Sequence, residues 1–344
     1  MRRVGFTVRR YAVKGQVTTK QMKRRSEVTI AASMDIGSYT ARLLVAKLKD
    51  GNSIEPIVRE RIYTRVGEDK CFLQTGTLSD EAQLRIIQAL KRLHAQALQY
   101  GVEETFIAAT GVIRKASNNK ELALRVYKET GLELEIISGY QEAILTAKAV
   151  LSALSDLEPP LVVFDLGGGT TEFFCQEKRP QKRYVFSLPV GAAVLTRLFF
   201  TNDPPSANEI TAAQKAIREI LHEIPCRVYA AKQQGAVIGT GGTVTSIAAM
   251  SRNLSLKDLK PERLNGIRIS ASQIREIFDR IKQLESSQRS RLPGLDRSRA
   301  DVIIAGTLCV LLILDQLQAS QLTVSLSDIL EGLLINRITG KNNA

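Results

Sequence analysis

The sequence has no tryptophan, only two histidines and only four cysteines among its 344 residues. Cys71, Cys175, Cys226 and Cys309 form no CxxC pair, so neither a disulfide framework nor a zinc site is expected. His94 and His222 fall in helical patterns and read as ordinary surface or partly packed side chains. A metal bound here would be a hard ion with oxygen ligands. No apolar run reaches the ~18–20 residues of a membrane span. The best candidate, residues 303–314, is interrupted by Gly306. What is present is a globular composition, 44% apolar and 24% charged, long enough for two domains.

Acidic residues are missing from the first 26 positions, which carry nine basic ones. The remaining 39 basic and 35 acidic residues leave +4 of the total +13. The basicity therefore belongs to a tail and not to a surface, and no specific nucleic-acid partner is expected. The tail has no hydrophobic period, which predicts disorder, and no long apolar core of a secretory signal. Attraction of polyanions and an extension of no consequence both remain open for it. A cytoplasmic location fits these features.

From Val28 onward strands and helices alternate, the mark of an α/β fold. VTIAASMDIG and TARLLVAKL read as a hairpin, followed by a strand at IEPIVRERIYTRV. Helices are predicted over 78–100, capped by Ser79, and 120–130, stopped by Gly131. ETFIAAT and LELEIIS are strands, and 140–154 is a helix containing Glu142. The opening theme then returns: LVVFDLGGGTTEFFC is again strand, glycine turn, strand. Further helices are predicted over 207–223, 272–284 and 299–317, with a closing strand and helix in LTVSLSDILEGLL. The repeated strand-Asp-x-Gly-strand unit, at Asp35 and at Asp165, implies an internal duplication and two similar domains across a cleft.

Three glycine turns carry the chemistry. Asp35-Ile-Gly37-Ser38-Tyr39-Thr40 delivers a carboxylate to a strand end, where a tight turn points several N–H groups one way. Asp165-Leu-Gly167-Gly168-Gly169-Thr170-Thr171-Glu172 places three glycines between two carboxylates and two hydroxyls, a set suited to holding phosphate and magnesium together. Gly239-Thr240-Gly241-Gly242-Thr243 joins a strand to a helix start, a second anion-binding geometry.

Together these turns resemble the actin, sugar-kinase and heat-shock ATPase superfamily. Within it, the stretch from about Val28 to Leu334 is similar to the exopolyphosphatase and guanosine pentaphosphate phosphatase (Ppx/GppA) family. The matching segments are Asp35–Thr40, Ala109–Asn118, Ile137–Ala143, Asp165–Glu172, Ser187–Ala192, the GTGGT turn, and Arg299–Gly332. The resemblance implies two RNase H-like (actin-like ATPase) domains facing each other across a cleft. The first would comprise 27–139 plus about 324–344, and the second 140–323. It also implies the short form, without a further helical domain. Glu142 would be the general base and Arg114 the clamp on the terminal phosphate. Asp35, Asp165 and Glu172 would hold Mg²⁺ or another divalent cation such as Mn²⁺. Gly37, Ser38, Gly167, Gly168, Gly169, Thr170, Thr171, Gly241, Gly242 and Thr243 would cradle phosphate oxygens. The substrate would be inorganic polyphosphate or guanosine pentaphosphate, and a homodimer is common among such proteins. Tyr39, Gln141, Ile144 and Leu330 depart from the family pattern. They keep a non-catalytic sensor in view, beside an ATP-dependent kinase or ATPase of the same superfold.

Because the tail lacks a core, deleting residues 1–26 should leave melting temperature and turnover unchanged while weakening low-salt affinity for long polyanions. A deletion variant that no longer folds would show that the segment is part of a core.

Overall fold

The computed structural model describes residues 29–49, 53–178, 182–224, 235–255, 258 and 261–342. The basic tail and Cys226 lie outside them. Among the described residues, Cys71, Cys175 and Cys309 are free thiols, and no helix is long and apolar enough to cross a membrane.

The first lobe is built on five strands: β1 (Ile30–Ile36), β2 (Thr40–Leu48), β3 (Ile54–Tyr63), β4 (Glu104–Ala109) and β5 (Leu134–Ile136). Their order is β3-β2-β1-β4-β5, antiparallel through the opening meander and parallel from β1 to β5. Four helices accompany them: α1 (Lys70–Thr75), α2 (Asp80–Leu98), α3 (Gly111–Lys115) and α4 (Asn119–Thr130). One face of the sheet buries Met34, Ile36, Leu43 and Val45 against Ile86, Leu90 and Leu93 of α2. Ser79 caps α2 by accepting from Ala82 N, and Gly131 ends α4 in the left-handed conformation, both as the sequence predicts.

After α5 (Gly139–Ala153) the pattern repeats. The second sheet contains β6 (Leu161–Leu166), β7 (Thr171–Gln176), β8 (Arg183–Leu188), β9 (Ala236–Thr240), β10 (Arg268–Ser270) and β11 (Gln321–Val324). Its order, β10-β11-β9-β6-β7-β8, contains the same three-strand meander followed by parallel neighbours, with β10 added at the edge. Around it lie α6 (Ala192–Phe199), α7 (Ala207–Leu221), α8 (Gly242–Ser251), α9 (Pro261–Leu264), α10 (Ala271–Ile281), α11 (Ser286–Arg289) and α12 (Ile303–Gln316), while the last helix, α13 (Ile329–Asn342), returns to the first sheet. The apolar helix α12 is buried along residues 303–314, packed against α6, α7, α8 and α10. The duplication read from the two Asp-x-Gly hairpins is thus present in the strand topology.

Two helices lie between the sheets. α13 packs on β1 and β2 through Leu330 and Leu334, which join Ala31, Leu44 and Ala46. α5 packs on β6, β7 and β8 through Ala147 and Val150. The two helices also pack on each other. Leu330, a departure from the family pattern, is therefore a core residue.

Two sequence expectations change. The segment carrying Arg114, read as a strand-turn, is the short helix α3. The helix expected over 299–317 begins only at Ile303 and is preceded by a 3-10 turn, Arg297–Arg299, which Asp296 caps by accepting from Ser298 N. Helix α6 was not foreseen, because its eight residues follow directly on the strand-like SLPVG segment.

The α5–α13 contact is close. A Cβ added at Gly332 would lie 2.2 Å from the Leu145 carbonyl oxygen. Gly332→Val should therefore cost about 1–3 kcal/mol of stability by overpacking, measured as a lowered denaturation midpoint. An unchanged midpoint would mean that the two helices are not held this tightly.

Candidate active site

The two Asp-x-Gly hairpins and the β9–α8 turn line one cavity of about 90 Å³ between the lobes. Asp35 ends β1 and Asp165 ends β6, both buried in its wall. Gly37 and Ser38 from the first turn, Gly167, Gly168, Gly169 and Thr170 from the second, and Gly241, Gly242 and Thr243 from the third face it. Glu142 enters from the first turn of α5 and Glu172 from β7.

Two expected residues are placed differently. Thr171 is buried with its hydroxyl donating to the Val190 carbonyl at 2.6 Å, and it lies outside the lining, so its side chain serves the strand and not the cavity. Arg114 sits behind the lining. Its Nη1 donates to Glu142 Oε2 at 2.6 Å, and its Nη2 lies 3.5 Å from Glu172 Oε1. Glu172 Oε1 also accepts from Ser187 Oγ at 2.8 Å. One guanidinium from the first lobe thus reaches two carboxylates, one on α5 and one on β7 of the second sheet.

The position of Glu142 follows from its helix cap. Ser138 Oγ accepts from Gln141 N, and Gln141 Oε1 accepts from Ser138 N, a reciprocal capping box. Gln141 thereby closes the cap without adding a charge beside Glu142. Tyr39 likewise finds a polar partner: its hydroxyl donates to Asp301 Oδ2 at 2.9 Å.

Several residues of the site carry no obvious sequence signal. Arg42 stands opposite Asp35 in the β1–β2 register. Its Nε and Nη2 donate to Asp35 Oδ2 at 3.1 and 2.7 Å, and its Nη1 donates to Asp328 at the start of α13. Thr110 Oγ1 donates to Asp35 Oδ1 at 3.2 Å. The β1–β2 pairing signals Arg42 in retrospect, because a hairpin places residues on either side of its turn face to face. Arg299 lies against the backbone of Gly242, where an added Cβ would fall 1.9 Å from its Cζ. Its side chain forms no hydrogen bond or ion pair among the described residues. Gly241 is required on two counts: its φ is +95°, and an added Cβ would lie 2.7 Å from Asp165 Oδ1.

The electrostatics are those of crowded, buried acids. Burial, then Asp328, pushes the Asp165 carboxyl up to about 8. Burial, then Asp165, pushes Glu172 up to about 7. Burial and then Glu172 raise Glu142 well above the usual carboxylate range, against the pull of Arg114. Burial also raises Asp35, opposed by Arg42. Asp328 differs: burial would raise it, but Arg42, the Leu330 N–H and Arg59 hold it below its ordinary value. Burial and the neighbouring Arg61 lower Arg299 to about 10, so it stays charged at neutral pH.

No three His, Cys, Asp or Glu side chains among the described residues form a group able to hold a metal ion. Asp35, one of the three expected ligands, is already engaged by Arg42 and Thr110. Asp165 and Glu172 face each other across the β6–β7 ladder, and Asp165 forms no ion pair among the described residues. That donor set fits a magnesium-like ion held by one or two carboxylates together with substrate oxygens. It does not fit an all-protein cage.

Comparison with known proteins agrees with this geometry. The Ppx/GppA phosphatase family model matches residues 44–339. The structure of the Aquifex aeolicus Ppx/GppA family member is 32% identical, covers 92% of this chain and 100% of its own, and superposes with a TM-score of 0.75. Exopolyphosphatase 2 of Mycobacterium tuberculosis is 28% identical over 90% of this chain and 98% of its own length. A bifunctional 3-dehydroquinate synthase/phosphatase of Fusobacterium nucleatum is 29% identical over 91% of this chain, which spans 47% of that longer protein. The two facing lobes are of the actin-like ATPase type. A nucleoside triphosphate hydrolase from Neospora caninum shares the fold at 11% identity and a TM-score of 0.53.

The raised carboxylates set a pH dependence. The folded values of about 8 and 7 for Asp165 and Glu172 exceed the unfolded ones near 4. Between about pH 4 and 8 the folded protein thus binds more protons than the unfolded chain, and stability falls as pH rises. In chelator, the melting temperature should drop by a few degrees from pH 6 to pH 8. Added Mg²⁺ should reduce the drop, and Asp165→Asn should flatten it. A melting temperature that stays level across this window in chelator would contradict the crowding.

Proposed function

The chain belongs to the Ppx/GppA phosphatase family, and on that premise we propose that it releases terminal phosphate from inorganic polyphosphate or guanosine pentaphosphate. The observation that carries the proposal is the placement of Glu142. It is a buried carboxylate in the wall of a glycine-lined cavity, hydrogen-bonded to a guanidinium that also reaches Glu172. Hydrolysis of a phosphoanhydride needs an in-line water and charge stabilisation, with little covalent work by the protein.

In this reading Glu142 orients the water and accepts its proton, a task that suits a carboxyl held above its ordinary range. Arg114, behind the lining, keeps Glu142 aimed and ties it to Glu172. The backbone N–H groups of Gly168 and Gly169 and of the Gly241–Thr243 turn cradle the chain oxygens, the Gly167 N–H being taken by the Thr170 carbonyl. Arg299, charged and without a hydrogen bond or ion pair among the described residues, supplies a guanidinium for the phosphate next to the scissile bond. Asp165 and Glu172 would hold Mg²⁺ or Mn²⁺, which supplies neutralising charge to the phosphoryl oxygens. A cavity of about 90 Å³ is small beside the ~300–1,000 Å³ of pockets that enclose drug-sized ligands. It supports entry of a phosphate terminus more than enclosure of an adenosine, which sets the kinase or ATPase reading lower.

Glu142→Gln should lower phosphate release by roughly 10²–10⁴-fold while KM changes little, because the amide preserves shape but cannot take the proton. Asp165→Asn should lose both activity and dependence on divalent cation. The measurement is phosphate release from polyphosphate, guanosine pentaphosphate and ATP side by side. A Glu142→Gln enzyme retaining most of its turnover on the best of the three would remove the base from this mechanism.

A further inference from the structure

The turn that carries Arg299 to the cavity belongs to the second lobe, yet it is tied down by the first. Asp296 opens this turn as its cap, and Asp301 follows it. The Tyr63 hydroxyl, at the end of β3, donates to Asp296 Oδ2 at 3.0 Å. The Tyr39 hydroxyl, in the β1–β2 turn, donates to Asp301 Oδ2 at 2.9 Å. The two rings meet edge to face with centroids 5.8 Å apart. Two phenols from one lobe thus grip the two ends of a loop on the other.

The second oxygens of these carboxylates show how much rests on each bond. Asp296 Oδ1 accepts from Ser298 N at 3.0 Å and Ser298 Oγ at 2.6 Å, which shapes the 3-10 turn. Asp301 Oδ1 is buried and has no hydrogen-bond partner among the described residues. Among the described residues, Tyr39 provides the one hydrogen bond to the Asp301 carboxylate, with Arg65 Nη2 at 3.8 Å. The Tyr39 phenol is a dependable donor: burial and then Asp301 hold its pKa well above the ordinary value.

No hydrogen bond or ion pair among the described residues anchors the Arg299 guanidinium itself, although Asp296 attracts it at longer range. Its guanidinium rests on Gly242 and makes no polar contact among the described residues. A guanidinium placed by its backbone and not by a partner goes where that backbone goes. We infer that Tyr39 and Tyr63 are positioning residues that act through Asp301 and Asp296 to set Arg299 over Gly242, so that this anion-binding group is in place only while the lobes are closed on each other. Tyr39, a departure from the family pattern, is thereby part of how this chain links lobe closure to capture of a phosphate chain. The inference rests on the proposed phosphoanhydride chemistry for its substrate.

A double-mutant cycle tests it. Tyr39→Phe keeps the ring and removes the hydroxyl. It should raise KM and the calorimetric Kd for medium-chain inorganic polyphosphate about tenfold, about 1.4 kcal/mol, with kcat within about twofold and the melting temperature unchanged. Asp301→Asn should reproduce the loss. In an Arg299→Met background, adding Tyr39→Phe should cost nothing more, because the group it positions is gone. An equal loss in both backgrounds would overturn the inference, as would a lowered melting temperature with unchanged Kd. Should Arg299→Met leave Kd unaltered, the inference falls while the Glu142 chemistry stands. If the wild-type protein bound polyphosphate without releasing phosphate, the proposed hydrolysis would fail, and the Kd arm would still decide the cycle.

Discussion

The structure depends on keeping five carboxylates buried in one place without their repelling one another apart. Asp35, Glu142, Asp165, Glu172 and Asp328 are each at most 9% exposed. Burying a charge is costly unless it is paired. Arg42 and Arg114 do most of the pairing. Arg42 sits between Asp35 and Asp328, joining the first hairpin to the start of α13. Arg114 sits between Glu142 and Glu172, joining the two lobes. Removing either guanidinium would leave two acids facing each other, which is why the arginines belong to the architecture as much as to the chemistry.

The glycines answer a different constraint. A cavity lined by backbone N–H groups needs the chain to approach both the ligand and the surrounding carboxylates closely. At Gly241 a side chain would strike Asp165, and at Gly242 it would strike Arg299. These two adjacent positions separate a carboxylate and a guanidinium that form no ion pair among the described residues.

The duplicated strand-Asp-x-Gly-strand units, the capped helices and the glycine turns were legible because they are local: alternation, caps and tight turns leave marks within a few residues. The pairing Asp35–Arg42 was nearly legible, since a hairpin register follows from its turn. Asp328 and Arg299 were not. Asp328 meets Arg42 from 286 residues away, Arg299 meets Gly242 across the intervening helices, and although both lie in the Arg299–Gly332 segment, nothing beside them announces which carboxylate or backbone turn they will meet. Thr171 shows the opposite failure. A hydroxyl beside three glycines looks like a phosphate ligand, but strand alternation turns it to the Val190 carbonyl while Thr170 faces the cavity. Asp35, one of the three expected metal carboxylates, is engaged by Arg42, a partner that its own motif does not announce.

The two unpaired groups also bear on what the site would accept. Among the described residues neither Asp165 nor Arg299 forms an ion pair, although Arg42 and Asp296 act on them at longer range, and each presses on one residue of the Gly241–Gly242 turn. Neither can satisfy the other while each presses on its own side of that turn. A free divalent cation would relieve Asp165 and add repulsion at Arg299, which already suffers from Arg61 and Arg42. A bare phosphate chain would relieve Arg299 and crowd the carboxylates further. A phosphate chain that arrives with its divalent cation meets both demands at once. On the proposed reading, cation and substrate therefore bind with positive linkage, each lowering the electrostatic cost that the other would face alone.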